Sequence, residues 1–103
     1  MKQIIDFKLI TEVLTKDKTG QSKREKSYTD SLVGEVKSVT QTEFYKADEA
    51  GIRPQCVIVM SVFDYESDAT KVLLGSKEYS IYRTYQTGTD RIELYVGERV
   101  GNG

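Results

Sequence analysis

Few side chains of the kinds that usually carry out chemistry occur in this sequence. The 103 residues include no histidine and a single cysteine, Cys56. Histidine is the commonest general base and, with cysteine, forms the usual zinc sites, so neither arrangement can be built here. Cys56 lies within an apolar run, which favours a small buried apolar group over a reactive thiol. We therefore predict that the protein is not an enzyme and holds no cofactor.

Three carboxylates alternate in an acidic segment, residues 64–70, with a spacing like the start of a calcium loop. They are Asp64, Glu66 and Asp68. An EF-hand loop counted from Asp64 requires glycine at its sixth position and glutamate at its twelfth. This chain has Ala69 and Gly75 there. The match fails, so we predict no metal site and interpret the segment as a solvated loop between strands.

Charge and composition narrow the class of partner. The net charge of −1 argues against nucleic acid as a main partner, because phosphate binding usually needs a basic face. No apolar run approaches the about 18–20 residues that span a bilayer, and Asp6 falls where a signal peptide would be apolar. We expect no membrane partner and a single domain over residues 1–103, made in a cytoplasm, with 101–103 as a flexible tail.

Alternation of apolar and polar residues predicts a mainly β protein. Gly75 leads a two-residue turn of type II′, and a second turn, 86–90, centres on Gly88. Residues 56–63 carry no charge, so we expect this strand to be the most buried. Gly34 marks a bulge or a close approach inside its strand. The predicted strands are residues 7–16, 31–39, 56–63, 71–74, 77–85 and 91–96.

One short helix is predicted after residue 40. Thr40 and Glu43 fit a capping box, in which each side chain accepts a hydrogen bond from the other's backbone N–H, and Gly51 fits the C′ position. Phe44 and Ala47 share one face, which we expect to cover one end of the sheet structure. The predicted fold is a small antiparallel β-barrel or sandwich with one short α-helix.

Residues 21–30 are polar and locally basic, and they follow a turn signal at 17–20. This stretch is either the poorly buried second strand of a long hairpin arm or a solvated loop.

Seven tyrosines support a second functional class, the small β-barrels that stack single-stranded nucleic acid on exposed aromatic rings. Strand alternation places Tyr79, Ile81, Arg83 and Tyr85 on one face and Tyr82 on the other. Tyr79 and Ile81 are then expected in the core and Tyr85 at the strand end. Tyrosine is also common at protein–protein interfaces, so the pattern leaves both classes open.

The order of several short motifs resembles the head–tail joining family of tailed bacteriophages, the head-completion or stopper proteins. No single motif is specific, and the resemblance lies in their order over about residues 7–101. Family members often have a tryptophan in the strand before the helix, where this chain has Leu32-Val33-Gly34. The motifs are GEV at 34–36, EFYKA at 43–47, IRP at 52–54, GSKEYSIY at 75–82, IELYV at 92–96 and RVG at 99–101.

The resemblance implies a structural virion protein located at the head–tail interface of a phage or prophage. Members are monomeric when free and form a ring in the virion beneath the portal or adaptor protein. The ring closes the DNA channel and docks the tail terminator or tail-completion protein, with packaged DNA only transiently near. Repeated weak contacts around such a ring replace one tight site.

On this interpretation the polar segments are the candidate interaction sites. Residues 17–30 rank first, the acidic loop second and the C-terminal end third. The predicted interaction residues are Lys18, Gln21, Lys23, Arg24, Lys26, Tyr28, Asp64, Glu66, Asp68, Glu98 and Arg99.

Overall fold

The computed structural model describes residues 3–100, and the predicted tail at 101–103 lies outside them. Within the described residues the chain forms seven strands and one helix. Their order is β1 (Gln3–Lys16), β2 (Ser22–Tyr28), β3 (Leu32–Lys37), α1 (Gln41–Glu49), β4 (Ile52–Ser61), β5 (Ala69–Leu74), β6 (Lys77–Thr87) and β7 (Arg91–Arg99). The mainly β, antiparallel prediction with one short helix is confirmed.

The strand pairings form a ring. The antiparallel neighbours run β1-β3-β4-β7-β6-β5, and β5 pairs with β1 again. This closure leaves few free edges among the six strands and is compatible with the predicted barrel or sandwich. β2 stands outside the ring and pairs with the second half of β1, from Ile10 to Lys16. β1 therefore serves two parts of the molecule, the ring through its first half and an arm through its second.

The core fills the inside of this ring with alternate side chains of four strands, β1, β4, β5 and β7. Leu9, Ile58, Val72, Leu94 and Val96 have no exposed surface. Gly34 permits close packing here, because a Cβ atom at that position would come within 2.8 Å of the side chains of Phe7 and Ile58. Of the two interpretations of Gly34, the structure shows the close approach.

The predicted burial of the fourth strand is wrong in part. The strand ends at Ser61, and Phe63, predicted to be inside it, lies in the following turn with 81% of its surface exposed. β7 buries more of its residues than β4 does. Cys56 is half-buried, and that burial raises the pKa of its thiol. Its position at the edge of the core still fits an apolar packing role.

The helix begins and ends where predicted, but the face that it buries differs from the expected one. Thr40 accepts a hydrogen bond from the Glu43 backbone N–H at 3.2 Å, and Gly51 has the positive φ, 74°, of a C′ residue. The buried side chains are those of Glu43 and Ala47, whereas Phe44 is 47% exposed. The expected burial of Ala47 is therefore confirmed and that of Phe44 is wrong. None of the helical structure within residues 3–100 is long and apolar enough to cross a lipid bilayer.

Candidate interaction surface

The residues that extend beyond the ring form a two-stranded arm, defined here as residues 12–28. Every residue of β2 is exposed, so the alternative of a long hairpin with a poorly buried second strand is correct and the loop alternative is wrong. Leu14 is 69% exposed, Val13 46% and Tyr28 49%. A two-stranded ribbon is marginal by itself in water, and these apolar side chains are available for contact with another surface.

The tip of the arm is an ordered turn. Asp17 Oδ1 accepts hydrogen bonds from the Thr19 backbone and hydroxyl and from the Gln21 backbone, at 2.9, 2.7 and 2.9 Å. These bonds, that of the Thr19 side chain first, lower the pKa of Asp17. Lys18 and Gln21 thus lie in a fixed turn, and Lys23 follows it on β2. Between residues 16 and 26 the arm carries five cationic and two anionic side chains, so it is a basic element on a slightly acidic protein.

Ion pairs fasten the base of the arm to the β5–β6 hairpin. Glu12 lies between Arg24 and Lys71, at 3.6 and 3.4 Å. Lys26 pairs with Glu78 of β6 at 2.9 Å, and the Tyr28 hydroxyl donates to the same carboxylate at 3.3 Å. The hydrogen bond from Lys26 lowers the pKa of Glu78, and Glu78 raises that of Lys26. These contacts hold the arm over the outer face of the hairpin.

A cleft of about 520 Å³ lies between the arm and that outer face. At the base of the arm, Ile10 follows core residue Leu9, so it points away from the core, yet it is completely buried. Its cross-strand neighbours on that face are Tyr28 and Lys71. We call this space the arm cleft. Its lining residues are Glu12, Val13, Leu14, Arg24, Ala69, Thr70, Lys71, Ser80, Ile81 and Arg99.

Some of the predicted interaction residues line the arm cleft, and others lie elsewhere. Arg24 and Arg99 line it, and a smaller adjoining depression includes Glu98 and Arg99. Glu98 also pairs with Lys77 at 2.6 Å. Lys26 and Tyr28 fasten the arm beside the cleft. Lys18, Gln21 and Lys23 lie outside it, towards the tip. Sequence patterns did not single out Glu12, Lys71 or Glu78, because their role depends on strand pairings that are distant along the chain.

The predicted acidic residues lie in a separate loop, residues 62–68, which joins β4 to β5. Asp64, Glu66 and Asp68 belong to it, and all three are exposed. The loop is held by backbone hydrogen bonds, including Val62 N to Asp90 O at 3.0 Å and Ala69 N to Glu66 O at 2.9 Å. Tyr65 packs against the core and its burial raises its pKa. The β4–β5 loop is therefore an ordered acidic surface.

A cluster that the sequence did not reveal joins the helix to the sheet. Glu43, the single buried charged residue within residues 3–100, accepts hydrogen bonds from Tyr82 at 3.2 Å and from Arg83. The Arg83 guanidinium stacks 4.0 Å from the centre of the Tyr95 ring. Burial, then the charge of Glu43, raises the pKa of Tyr82 to about 12. The predicted second half of the capping box is wrong, because the Glu43 carboxylate is used here.

A bulge explains why the predicted faces of β6 are wrong after residue 81. Ile81 pairs with Val96, but the next pair is Arg83 with Tyr95, so Tyr82 is the extra residue. A bulge places two successive residues on similar sides, and both Tyr82 and Arg83 reach Glu43. Tyr79 and Ile81 pack against the core as expected, and Tyr85 is 55% exposed near the strand end.

The arm and the arm cleft together form an exposed surface of mixed apolar and charged side chains. Within residues 3–100 no group of three or more acidic or cysteine side chains is placed to hold a metal ion. The arm cleft combines exposed apolar side chains with cations held at fixed positions, which suits recognition of an apolar and acidic protein segment. No protein-family model, curated protein or solved structure matches this chain.

Proposed function

We propose that this protein is a structural component of the head–tail junction of a tailed bacteriophage, where it forms a ring beneath the portal or adaptor protein. The ring closes the DNA channel and receives the tail-completion protein. The observation that best supports the proposal is the basic arm, which projects from the closed ring of six strands within each chain. The arm gives one rigid domain a docking element that is separate from its core. The resemblance of the ordered motifs supplies the virion context.

The proposal requires a rigid body that can repeat around an axis. The ring of six strands supplies part of the rigidity, since its core is buried. The rest comes from the cluster of Glu43, Tyr82, Arg83 and Tyr95, called the Glu43 cluster, which fixes the helix to the sheet. Docking elements on such a body can be individually weak, because contacts repeated around a ring act together. The arm and the β4–β5 loop are the two elements of this kind, and they differ in charge.

Removing the gene from the phage or prophage that encodes it tests the proposal. We expect DNA-filled heads and separate tails in electron micrographs, with joined particles restored by the gene supplied in trans. A variant with Leu14→Ser and Arg24→Ser should restore joining poorly, whereas Val33→Ser and Lys46→Ser, exposed residues outside the arm, should restore it fully. Normally joined particles in the absence of the gene would refute the proposal.

Single-stranded nucleic-acid binding is the second candidate, and the basic arm is the observation that favours it. Five cations on a projecting ribbon could follow a phosphate backbone. Fluorescence anisotropy with labelled single-stranded DNA at moderate salt distinguishes the two functions. The connector proposal expects weak binding that disappears as salt rises, while tight binding lost on replacing Lys23 and Arg24 would favour the second candidate.

A further inference from the structure

We propose that the arm cleft of one copy receives the start of the β4–β5 loop of a second copy, so that the chain associates head to tail. This inference rests on the proposed ring function and names the contact that would build the ring. The loop residues concerned are Phe63 and Asp64. The cleft residues concerned are Leu14, Lys71 and Arg99.

The loop presents an apolar anchor that its own chain does not cover. Phe63 is 81% exposed, more than any other large apolar side chain in the described part of the chain. The loop around it is already ordered by backbone hydrogen bonds, including Asp64 N to Ser61 O at 3.2 Å. A fixed loop loses little conformational entropy on binding, and aromatic rings are enriched in protein–protein interfaces.

The cleft provides a matching surface of similar chemistry and opposite charge. Its wall includes Val13 and Leu14, and its space of about 520 Å³ is ample for an aromatic side chain and its turn. Lys71 and Arg99 line the same space. Lys71 pairs with Glu12 of its own chain, whereas no residue within 3–100 forms an ion pair with Arg99. Asp64 and Glu66 flank the loop anchor. Charges of opposite sign across an interface favour the correct pairing and raise the rate of encounter.

The loop anchor and the cleft are different patches of the surface, and both lie towards the end of the ring from which the arm projects, where Thr11 pairs with Ala69. Phe63 follows β4, whereas the cleft lies on β5 and β6. In the order β1-β3-β4-β7-β6-β5, β4 is three strands from β5 in either direction. A contact between two different surfaces is heterologous, and it produces a ring or a filament rather than a closed pair. A contact this small is weak for two copies alone and gains strength when a ring closes.

Cross-linking between two single-cysteine variants tests the proposal. Both carry Cys56→Ala; one also carries Leu14→Cys and the other Glu66→Cys, an exposed position in the same loop that leaves Phe63 in place. Mixed and mildly oxidised, they should yield about tenfold more covalent dimer than either alone, the selectivity expected of a central aromatic anchor. In the matched control Val33→Cys, which is 62% exposed against 69% for Leu14, replaces Leu14→Cys. Equal yields with the control, or most dimer from Leu14→Cys alone, would overturn the proposal.

Charge reversal tests whether Arg99 of one copy pairs with Asp64 of the other. Arg99→Glu added to the Leu14→Cys chain, or Asp64→Arg added to the Glu66→Cys chain, should each lower the yield of mixed dimer. The two reversed chains together should recover it. Circular dichroism confirms that each variant is folded. Single losses without recovery in the pair would overturn the assignment of Arg99 and Asp64 as partners.

The two proposals fail in different ways. If the selective cross-link is absent but particles without the gene still fail to join, the self-contact is wrong and the connector function stands. If the selective cross-link forms but particles join normally without the gene, the self-contact stands and the connector function is wrong.

Discussion

The two halves of β1 show how differently one strand can be stabilised. In the first half, Phe7 and Leu9 are buried against the core. In the second half, Val13 and Leu14 are exposed. There the arm is fastened to the β5–β6 hairpin by two ion pairs, Glu12 with Lys71 and Lys26 with Glu78. Burial of apolar surface stabilises far more than exposed ion pairs do. The ring is therefore the stable scaffold, and the arm is the part that can be changed, or can bind, at little cost to folding.

A leucine-to-alanine substitution in the ring and another in the arm should differ most clearly in their effect on the free energy of unfolding. Leu94→Ala leaves a cavity at a position with no exposed surface and should lower the free energy of unfolding by about 3 kcal/mol. Leu14→Ala removes a side chain that is 69% exposed and should change it by less than about 0.5 kcal/mol. Urea denaturation followed by circular dichroism measures both. Similar losses of stability at the two leucines would show that the arm is packed as firmly as the ring.

An added methyl group should also destabilise the ring more than the arm, by a smaller amount than the leucine substitution does. Gly34→Ala places a methyl group against Phe7 and Ile58 and should cost about 1–3 kcal/mol, since the side chains can shift only in part. Ser22→Ala on the exposed strand of the arm meets no such neighbour and serves as the control. Thermal unfolding of both variants checks the prediction. Unchanged stability of Gly34→Ala would show that this part of the core is loosely packed.

Alkaline pH should weaken the scaffold through the Glu43 cluster. The pKa of Tyr82 is about 12 in the folded protein against an ordinary value of 10.0. The folded state thus holds this proton more tightly, so the contribution is complete below pH 10 and is lost as the pH rises towards 12. Stability measured from pH 8 to 12 should differ between the wild type and Tyr82→Phe, and the difference should shrink above pH 10. A constant difference across the range would contradict this account.

Acid should loosen the arm with little effect on the ring. The pKa of Glu78 lies below its ordinary value of 4.5 because of Lys26, so the stabilisation it provides is present above pH 4.5 and is lost as the pH falls further. Glu78→Gln should mimic this loss at neutral pH. Trypsin should then cleave faster at Lys16, Lys18 and Lys23, while the urea midpoint stays the same. Unchanged cleavage would mean that the Lys26–Glu78 pair does not hold the arm.

Local signals in the sequence predicted the elements of the ring well. The turn glycines at 75 and 88, the helix start at Thr40 and the alternation of β7 all depend on neighbouring residues, so they could be recognised without the fold. The hairpin arm remained undecided because β2 buries nothing, and burial is what makes a strand visible in a sequence.

The features that sequence could not predict depend on distant pairings. The bulge at Tyr82 changes which face Arg83 occupies, and only the partner strand β7 reveals it. Phe63 belongs to an apolar run, yet β4 ends two residues before it. The arm cleft requires β1, β5 and β6 to meet, so its lining could not be recognised, although the predicted residues Arg24 and Arg99 prove to belong to it.

Hydrogen–deuterium exchange along β1, measured at low and high protein concentration, tests whether the strand divides into a scaffold half and a binding half. We expect slow, concentration-independent exchange for Phe7 and Leu9. For residues 12–16 we expect faster exchange that slows as the concentration rises and the arm cleft is occupied. Uniform protection along β1, or an arm whose exchange is the same at every concentration, would contradict the division of the strand into a scaffold half and a binding half.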